Sequence, residues 1–447
     1  MIRKRLTQKT IVLAIALALG VASTSLAAEG PEMLTLQQII DAAVKNNPAT
    51  VESQKRWEEK TSRISIVTAQ PNPKLGIMKD DIPTGSINPG KGMMTEFSIS
   101  QEIMNPAKVK AMGKMAENEA NMMKADWDAK QVELYVQAKQ AYYDYIYARQ
   151  ALEIGKESQQ LMGQLVQLAQ VNYSTGMVPL QDTLKMQTEF SQMTVDLLSM
   201  ASMEGVAKAK INNIMGRSTN TGFETKEEFA APPPDFDLDK LVKEASDGKP
   251  SIVGMQYQAA MAQSGIELAK KQQLPDFEIS LGYKKNKEPM LEAQADPMDP
   301  MNTTFMLGDR KPTWKMEVMV MLPIWQGKNK AEIKAAQANY AASQAALQNM
   351  RNMSELDIQM ALTEAQSTWR QIGLYQNTVI PQAEQTYQAG IVGYTNGKVD
   401  MMTVLADLNT LHNAKLGLYK VKTDYEKAAA NLEKAVGKPL FKTTTQS

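Results

Sequence analysis

An internal repeat constrains this chain more than any other feature of its sequence. Matching residues recur at a constant spacing, which later grows by 19 positions between Pro275 and Trp314. At an offset of 202 the pairs are Leu36 with Leu238, Ala43 with Ala245 and Pro48 with Pro250; at 221 they are Glu96 with Glu317, Tyr173 with Tyr394, and Gly176 with Gly397. Because repeated sequence folds into repeated supersecondary units, we expect two copies of one unit, the second carrying an insertion.

The repeat divides the chain into five segments. They are a signal peptide (1–28), a first repeat (29–216; hairpin about 73–102, long helices about 105–215), a linker (217–237), a second repeat (238–437; hairpin about 275–323, long helices about 327–436) and a C-terminal tail (438–447). Three consecutive prolines, 232–234, mark the linker as irregular.

The first residues have the layout of a secretory signal peptide, with a basic start (Arg3, Lys4, Arg5, Lys9) before the apolar run 11–19. Without those four cations, 45 basic face 49 acidic side chains, so no nucleic-acid partner is expected. The chain has no cysteine and one histidine, His412, which we interpret as a packing or surface residue. Without a catalytic constellation or a resident cofactor, the sequence does not indicate an enzyme.

Each copy contains short runs that alternate with a period of two. In copy one, Phe97 and Ile99 fall on the face opposite Glu96 and Ser98. In copy two, the same alternation sets Trp314, Met316 and Val318 against Lys315 and Glu317. This period indicates strands with one apolar and one polar face.

A long segment without proline follows each hairpin, at 107–178 and 324–380. Both segments are rich in residues that favour helix, and at 1.5 Å per residue the first spans roughly 100 Å. Apolar residues at three-four spacing predict lengthwise packing of a coiled-coil type. The predicted fold is mainly α with a small β part, in two tandem repeats of helix, β-hairpin and long coiled-coil helices.

The two predicted hairpins supply four strands, which are too few to enclose a lumen. Closure into a barrel requires several subunits, and strands with apolar outer and polar inner faces suit a barrel that holds water within a bilayer.

Four motifs carry a resemblance to the TolC-like outer-membrane efflux family. They are Tyr173-Ser-Thr-Gly176 with Asp182, Tyr394-Thr-Asn-Gly397-Lys398 with Leu405, Gln101-Glu-Ile103, and Leu322-Pro-Ile324. The strand at 93–103 further resembles the heavy-metal RND efflux (CusC/CzcC-like) subgroup, although this chain lacks the N-terminal cysteine that many of its members carry lipidated.

The resemblance implies a homotrimer with a 12-stranded outer-membrane β-barrel, continued by an α-helical periplasmic tunnel. It implies as partners a periplasmic adaptor protein and an inner-membrane RND-type pump, with location in the cell outer membrane and extension into the periplasm. A trimer would present six carboxylates, from Glu96 and Glu317, to the barrel interior; they either bias ion passage or only wet the lumen.

The resemblance also implies a gate at the two periplasmic turns, in which Asp182 faces Tyr394. Asp182 has an alternative role, as the N-cap of the helix that follows Pro179. The second turn departs from the family pattern, because the acidic gate positions match Thr403 and Ala406, while Asp400 and Asp407 lie nearby.

The same turns are implied to dock the adaptor, through Gly176, Gly397 and Lys398. A tight turn between helices needs a positive φ angle, which glycine adopts at little cost. We therefore expect both glycines to be structural, whatever they dock.

Methionine is abundant, at 31 residues, and thioethers are soft ligands that suit Cu(I), although methionine also packs helices well. Weak metal candidates in the inserted acidic loop are Met290, Met298, Met301 and Met306. The expected function is a channel that exports copper, silver, divalent cations or small molecules. Two alternatives stay open: a drug or polypeptide exporter of the same fold, and a soluble periplasmic coiled-coil or methionine-rich scaffold.

Overall fold

The computed structural model describes residues 32–441, apart from 81, 83, 86, 90, 91, 93, 227, 228, 230, 287, 288, 296, 297, 299–302 and 310. The predicted signal peptide and residues 442–447 of the predicted tail lie outside this range. In the first copy, a short strand and two helices precede a hairpin and two long helices. Their bounds are β1 Glu32–Leu34, α1 Leu36–Asn46, α2 Pro48–Thr68, β2 Lys74–Asp80, β3 Met94–Ile103, α3 Pro106–Ser174 and α4 Leu180–Ile214.

The second copy repeats this order with additions. Its elements are β4 Phe223–Thr225, α5 Leu238–Gly248, α6 Pro250–Lys271, β5 Asp276–Asn286, β6 Pro289–Ala295, β7 Thr303–Asp309, β8 Thr313–Met321, α7 Gln326–Leu374, a π-helical segment Tyr375–Val379, α8 Ile380–Thr395 and α9 Met401–Val436. The predicted class, mainly helical with two tandem units, is confirmed.

Asparagine and proline mark where α2 and α3 begin. The side chains of Asn47 and Asn105 accept hydrogen bonds from backbone N–H groups two residues on, at 2.9 and 3.0 Å. Pro48 and Pro106 follow as the first helical residues, where the missing N–H costs nothing. The chain therefore leaves one helix at Asn46 and starts another at Pro48.

The helices bury their apolar residues along lengthwise seams. Helix α3 has 69 residues, which corresponds to about 100 Å. One seam joins α1, α3 and α4 around Tyr142 and Ile211, and another joins α3, α4, α8 and α9 around Met186 and Leu408. A third joins α5, α7 and α9 around Ile358. The seams explain how so long a rod is stable without a globular interior.

The two hairpins join into one antiparallel sheet of order β2-β3-β5-β8. Strand β3 of the first copy pairs with β5 of the second, from Met94 opposite Asn286 to Ile103 opposite Phe277. Strands β2 and β8 are the outer strands of the four. Each copy thus contributes half of a continuous sheet.

Two segments predicted to be irregular contain strands. The insertion between Pro275 and Trp314 is not only a loop, because β6 and β7 pair antiparallel within it. The predicted linker contains β4, which pairs in parallel with β1 at the start of the first copy. Repeat matching does not predict these pairings, because β6 and β7 lie within the insertion and β1 and β4 lie outside the matched positions.

The first long helix after the second hairpin contains an irregular segment. Helix α7 passes through the π-helical segment into α8, with Pro381 in the first turn of α8. Within the described ranges, none of the helices combines the length and apolarity that crossing a membrane requires.

Candidate functional site

The four-stranded sheet has one face of exposed apolar side chains. Leu75, Trp314 and Met316 on this face are 78%, 70% and 73% exposed. The same face carries Ile77, Phe97, Ile99, Phe277, Ile279, Leu281, Val318 and Val320, all exposed. The rings of Tyr283 and Trp314 stack edge to face with centroids 5.2 Å apart. So much exposed apolar surface marks an interaction face.

The opposite face carries the carboxylates predicted to line a lumen, together with cations. Glu96 lies directly opposite Lys284 and against Gly282, where an added Cβ would stand 2.8 Å from the Glu96 carboxylate oxygen. The Nζ atom of Lys315 lies 2.8 Å from Oε2 of Glu317. Lys315 and Glu317 are on the same face, so the expected ring of carboxylates also contains cations. Charge on this face is therefore partly balanced.

An ion pair anchors the sheet to the helices. Nζ of Lys108, in the first turn of α3, lies 2.5 Å from Oδ2 of Asp276, at the start of β5. The other carboxylate oxygen of Asp276 accepts a hydrogen bond from the backbone N–H of Asn105 at 2.9 Å. Helix α3 of copy one is thereby fixed to the sheet of copy two.

The two helix-to-helix turns have the same geometry. Gly176 and Gly397 have φ angles of 75° and 68°, as predicted. In each turn the next residue donates its backbone N–H to a carbonyl five residues earlier, at 2.8 Å for both Met177 and Lys398. The glycine is required because other residues are strained at these angles.

The turns enclose a cavity of about 450 Å³ that brings predicted gate residues together. Its lining includes Asp182, Tyr394, Gly397, Lys398 and Asp400. Tyr394 is 6% exposed, and its hydroxyl has no hydrogen-bond partner among the described residues. Gly176 and Asp407 are not part of this lining.

The capping alternative for Asp182 is wrong. Pro179 is the N-cap of α4, and Asp182 follows in the first turn, where a carboxylate suits the helix dipole. In copy two the cap is Asp400, whose side chain accepts a hydrogen bond from the backbone N–H of Thr403 at 2.7 Å. Hydrogen bonds from Thr403 lower the pKa of Asp400.

Asp407 is held within its own chain. An added Cβ at Gly390 of α8 would stand 2.5 Å from Oδ2 of Asp407, so the carboxylate lies directly on that glycine. Asp407 therefore packs between α8 and α9 instead of joining the cavity at the turns.

A model of the outer membrane efflux protein family matches residues 39–217 and 241–438, which is most of the chain. The chain belongs to this family. It is 23% identical over 441 residues to the outer membrane protein TolC of Vibrio cholerae, covering 96% of this chain and 95% of that protein. It is 20% identical over 417 residues to the cobalt-zinc-cadmium resistance protein CzcC of Cupriavidus metallidurans, covering 92% of this chain and 91% of that protein.

A crystal structure of CusC has the same fold, with a TM-score of 0.73 at 16% identity over 90% of this chain and 92% of that one. The predicted resemblance to the TolC-like outer-membrane efflux family is confirmed. As a member of the outer membrane efflux protein family, the chain is a passive outer-membrane channel that extends into the periplasm, and not an enzyme.

The remaining candidates of this efflux protein are distributed over the chain. His412 packs on α3, where its Nδ1 atom lies 2.7 Å from the Ser158 hydroxyl, and burial lowers its pKa. Met298 is 97% exposed. Met301 and the side chains of Met290 and Met306 lie outside what the structure describes. In the described part, no group of three or more His, Cys, Asp or Glu side chains is arranged to hold a metal ion.

Proposed function

We propose that three copies of this chain form an exit duct for metal cations, with the sheets joined into one 12-stranded barrel and the long helices into a periplasmic tunnel. The observation that carries this proposal is the two-sided sheet with its outer strands β2 and β8. Pairing β8 of one subunit with β2 of the next satisfies the backbone groups of both edges. The apolar face then contacts lipid and the polar face contacts water.

The helices provide a second reason for assembly. On α4, Val195, Leu198 and Val206 are 55%, 70% and 67% exposed, and on α7, Leu356 and Met360 are 57% and 61% exposed. These stripes continue at helical spacing along each rod. Burying them between subunits extends the lengthwise packing seen inside one chain.

We assign the cavity at the two turns to gating and docking. Asp182 and Tyr394 line it together, and the buried Tyr394 hydroxyl offers a hydrogen bond that no group in the described part of the chain uses. Gly176, Gly397 and Lys398 form the exposed ends of the two turns and are the proposed contacts of a periplasmic adaptor. An inner-membrane RND-type pump would then deliver the cargo through that adaptor.

Cargo is proposed to be a metal cation, in keeping with the heavy-metal subgroup. Support comes from the cobalt-zinc-cadmium resistance protein among the relatives and from the 31 methionines. Deleting the gene should sensitise cells to copper or silver. Unchanged metal tolerance combined with new sensitivity to drugs would assign the duct to organic molecules instead.

Cysteine cross-linking tests the assembly, because the native chain has no cysteine. Ile77→Cys on β2 is combined in turn with Trp314→Cys, Met316→Cys or Val318→Cys on β8. At least one pair should give disulfide-linked dimers and trimers on non-reducing gels of membranes. The control, Ile99→Cys on the interior strand β3 with the same partners, should remain monomeric. Absence of cross-linked trimers from every β2–β8 pair contradicts the proposal.

A further inference from the structure

Methionines occupy the polar face of the sheet, where polar side chains are expected. Strands β2, β3, β5 and β8 contain five methionines, and alternation places four of them on the face of Glu96 and Glu317. These four are Met78, Met94, Met319 and Met321. The fifth, Met316, is on the apolar face opposite Leu281. Apolar packing accounts for Met316 but not for the other four.

Each of the four lies directly opposite a carboxylate on the neighbouring strand. The register pairs Met78 with Glu96, Met94 with Asp80, Met319 with Glu278, and Met321 with Asp276. Side chains at directly opposite positions have Cβ atoms about 4.5–5.5 Å apart. Each pair thus places a thioether and a carboxylate residue in the same row of this face. The Glu96 carboxylate leans toward Gly282 of β5, and both oxygens of Asp276 are engaged by Lys108 and Asn105.

The pairs form two clusters at opposite ends of the sheet. The β2–β3 cluster consists of Met78, Asp80, Met94 and Glu96; the β5–β8 cluster consists of Asp276, Glu278, Met319 and Met321. Each contains two thioethers on adjacent rows of one face. In the β5–β8 cluster, Asp276 is held by Lys108, and Glu102 lies opposite Glu278.

Three of the four methionines are exposed, and Met94 is half-buried. Met78, Met319 and Met321 are 51%, 50% and 43% exposed. An exposed methionine contributes little hydrophobic free energy to folding. Its thioether is, however, a soft ligand that favours Cu(I) over harder cations. A nearby carboxylate adds attraction for any cation.

We propose that the two clusters bind soft monovalent cations, Cu(I) or Ag(I), as they pass over the polar face. This inference rests on the proposed function, in which that face lines a lumen. Two thioethers supply the soft ligands in each cluster, and the opposing carboxylates supply charge.

The test is silver inhibition of single-channel current in planar bilayers, with potassium nitrate as electrolyte because chloride precipitates silver. Silver ions should reduce the wild-type current, and thiosulfate, which binds silver, should restore it. In the variant Met78→Leu/Met94→Leu/Met319→Leu/Met321→Leu, the silver concentration for half-inhibition should rise about tenfold or more. Met316→Leu, the matched control on the apolar face, should behave as the wild type does.

Methionine-to-leucine exchange conserves volume, so the variants are expected to fold, and heat-resistant trimers on gels verify this. A conducting wild type that is insensitive to silver overturns the cluster proposal alone. The cluster proposal is also overturned if the fourfold variant is as sensitive to silver as the wild type, or if Met316→Leu loses its sensitivity to silver. A wild type that forms no channel overturns the proposed duct, and the clusters with it. If the fourfold variant does not assemble, the double variant Met319→Leu/Met321→Leu replaces it in the test. We then expect a smaller rise in the silver concentration for half-inhibition.

Discussion

The Nζ atom of Lys139 on α3 lies 2.7 Å from Oε2 of Glu433 on α9, and the side chains are 7% and 0% exposed. The other oxygen of Glu433 accepts hydrogen bonds from the backbone N–H groups of Leu440 and Phe441, at 3.0 and 3.1 Å. One buried carboxylate therefore connects the long helix of the first copy, the last helix of the second and the C-terminal segment. We therefore expect the Lys139–Glu433 pair to contribute to the stability of the packing between the two copies.

Glu433→Ala should lower the free energy of unfolding by about 3–5 kcal/mol, because it leaves the Lys139 ammonium buried without a counter-charge. Lys139→Met combined with Glu433→Gln should cost less, since no buried charge remains. Urea denaturation followed by circular dichroism measures both. The exposed control Glu153→Ala should stay within about 0.5 kcal/mol of wild type. Equal stability of Glu433→Ala and that control would contradict the assigned role.

Gly176→Ala and Gly397→Ala should each destabilise the chain by about 1–2 kcal/mol, because both positions have positive φ angles. Gly205→Ala is the matched control: it lies inside α4 with no atom near its added Cβ, so it should stabilise by up to about 1 kcal/mol. Denaturation midpoints give the sign of each change. Stabilisation by either turn substitution would mean that the turn does not require glycine.

Asp182→Ala and Tyr394→Phe should each raise single-channel conductance. Each removes from the cavity at the turns one polar group that is proposed to hold the gate closed. Tyr387→Phe is the control, since Tyr387 is also buried on α8 but does not line this cavity. It should conduct as the wild type does. Wild-type conductance from both Asp182→Ala and Tyr394→Phe would remove these residues from the gate.

Neutralising either member of the Lys315–Glu317 pair should shift ion selectivity, and the two substitutions should shift it in opposite directions. Glu317→Gln releases the cation of Lys315 into the lumen, so the ratio of potassium to chloride permeability should fall; Lys315→Gln should raise it. Reversal potentials in a salt gradient measure the ratio. Glu224→Gln on β4, outside this sheet, should change nothing. If neither exchange at the pair moves the ratio, these side chains only hydrate the lumen.

His412 should make stability depend on pH below neutrality. Its pKa in the folded chain is lowered by burial from 6.5, so between the two values the unfolded chain binds more protons. Stability is thus highest above pH 6.5 and falls as the pH drops through 6.5 toward the folded pKa. Melting temperatures at several pH values, compared between wild type and His412→Gln, isolate this histidine. The variant should lose less stability on acidification; parallel curves would show that His412 titrates alike in both states.

Local patterns predicted much of the architecture. Alternation around Phe97 and Ile99 predicted a strand, and the repeat predicted a hairpin in each copy. Gly176 and Gly397 marked both helix turns, because a positive φ angle is a property of one residue. Such features depend on near neighbours in the chain, so a single sequence contains them.

Other features did not follow from residue type or from the repeat. Asp182 and Asp400 are both short carboxylates near a helix start, yet only Asp400 is a cap, because Pro179 is already the N-cap of α4, three residues before Asp182. The strands within the insertion and the linker were missed because each pairs outside the matched repeat.

The sequence by itself determined that this chain has two copies of one unit, two-faced strands and rods too long for a globular core, since repeat spacing and periodicity follow from covalent order. Only the tertiary structure decided that β3 of one copy pairs with β5 of the other, with Met319 opposite Glu278 and Lys139 beside Glu433. The physical reason is that register and helix packing are set by the summed fit of many distant side chains.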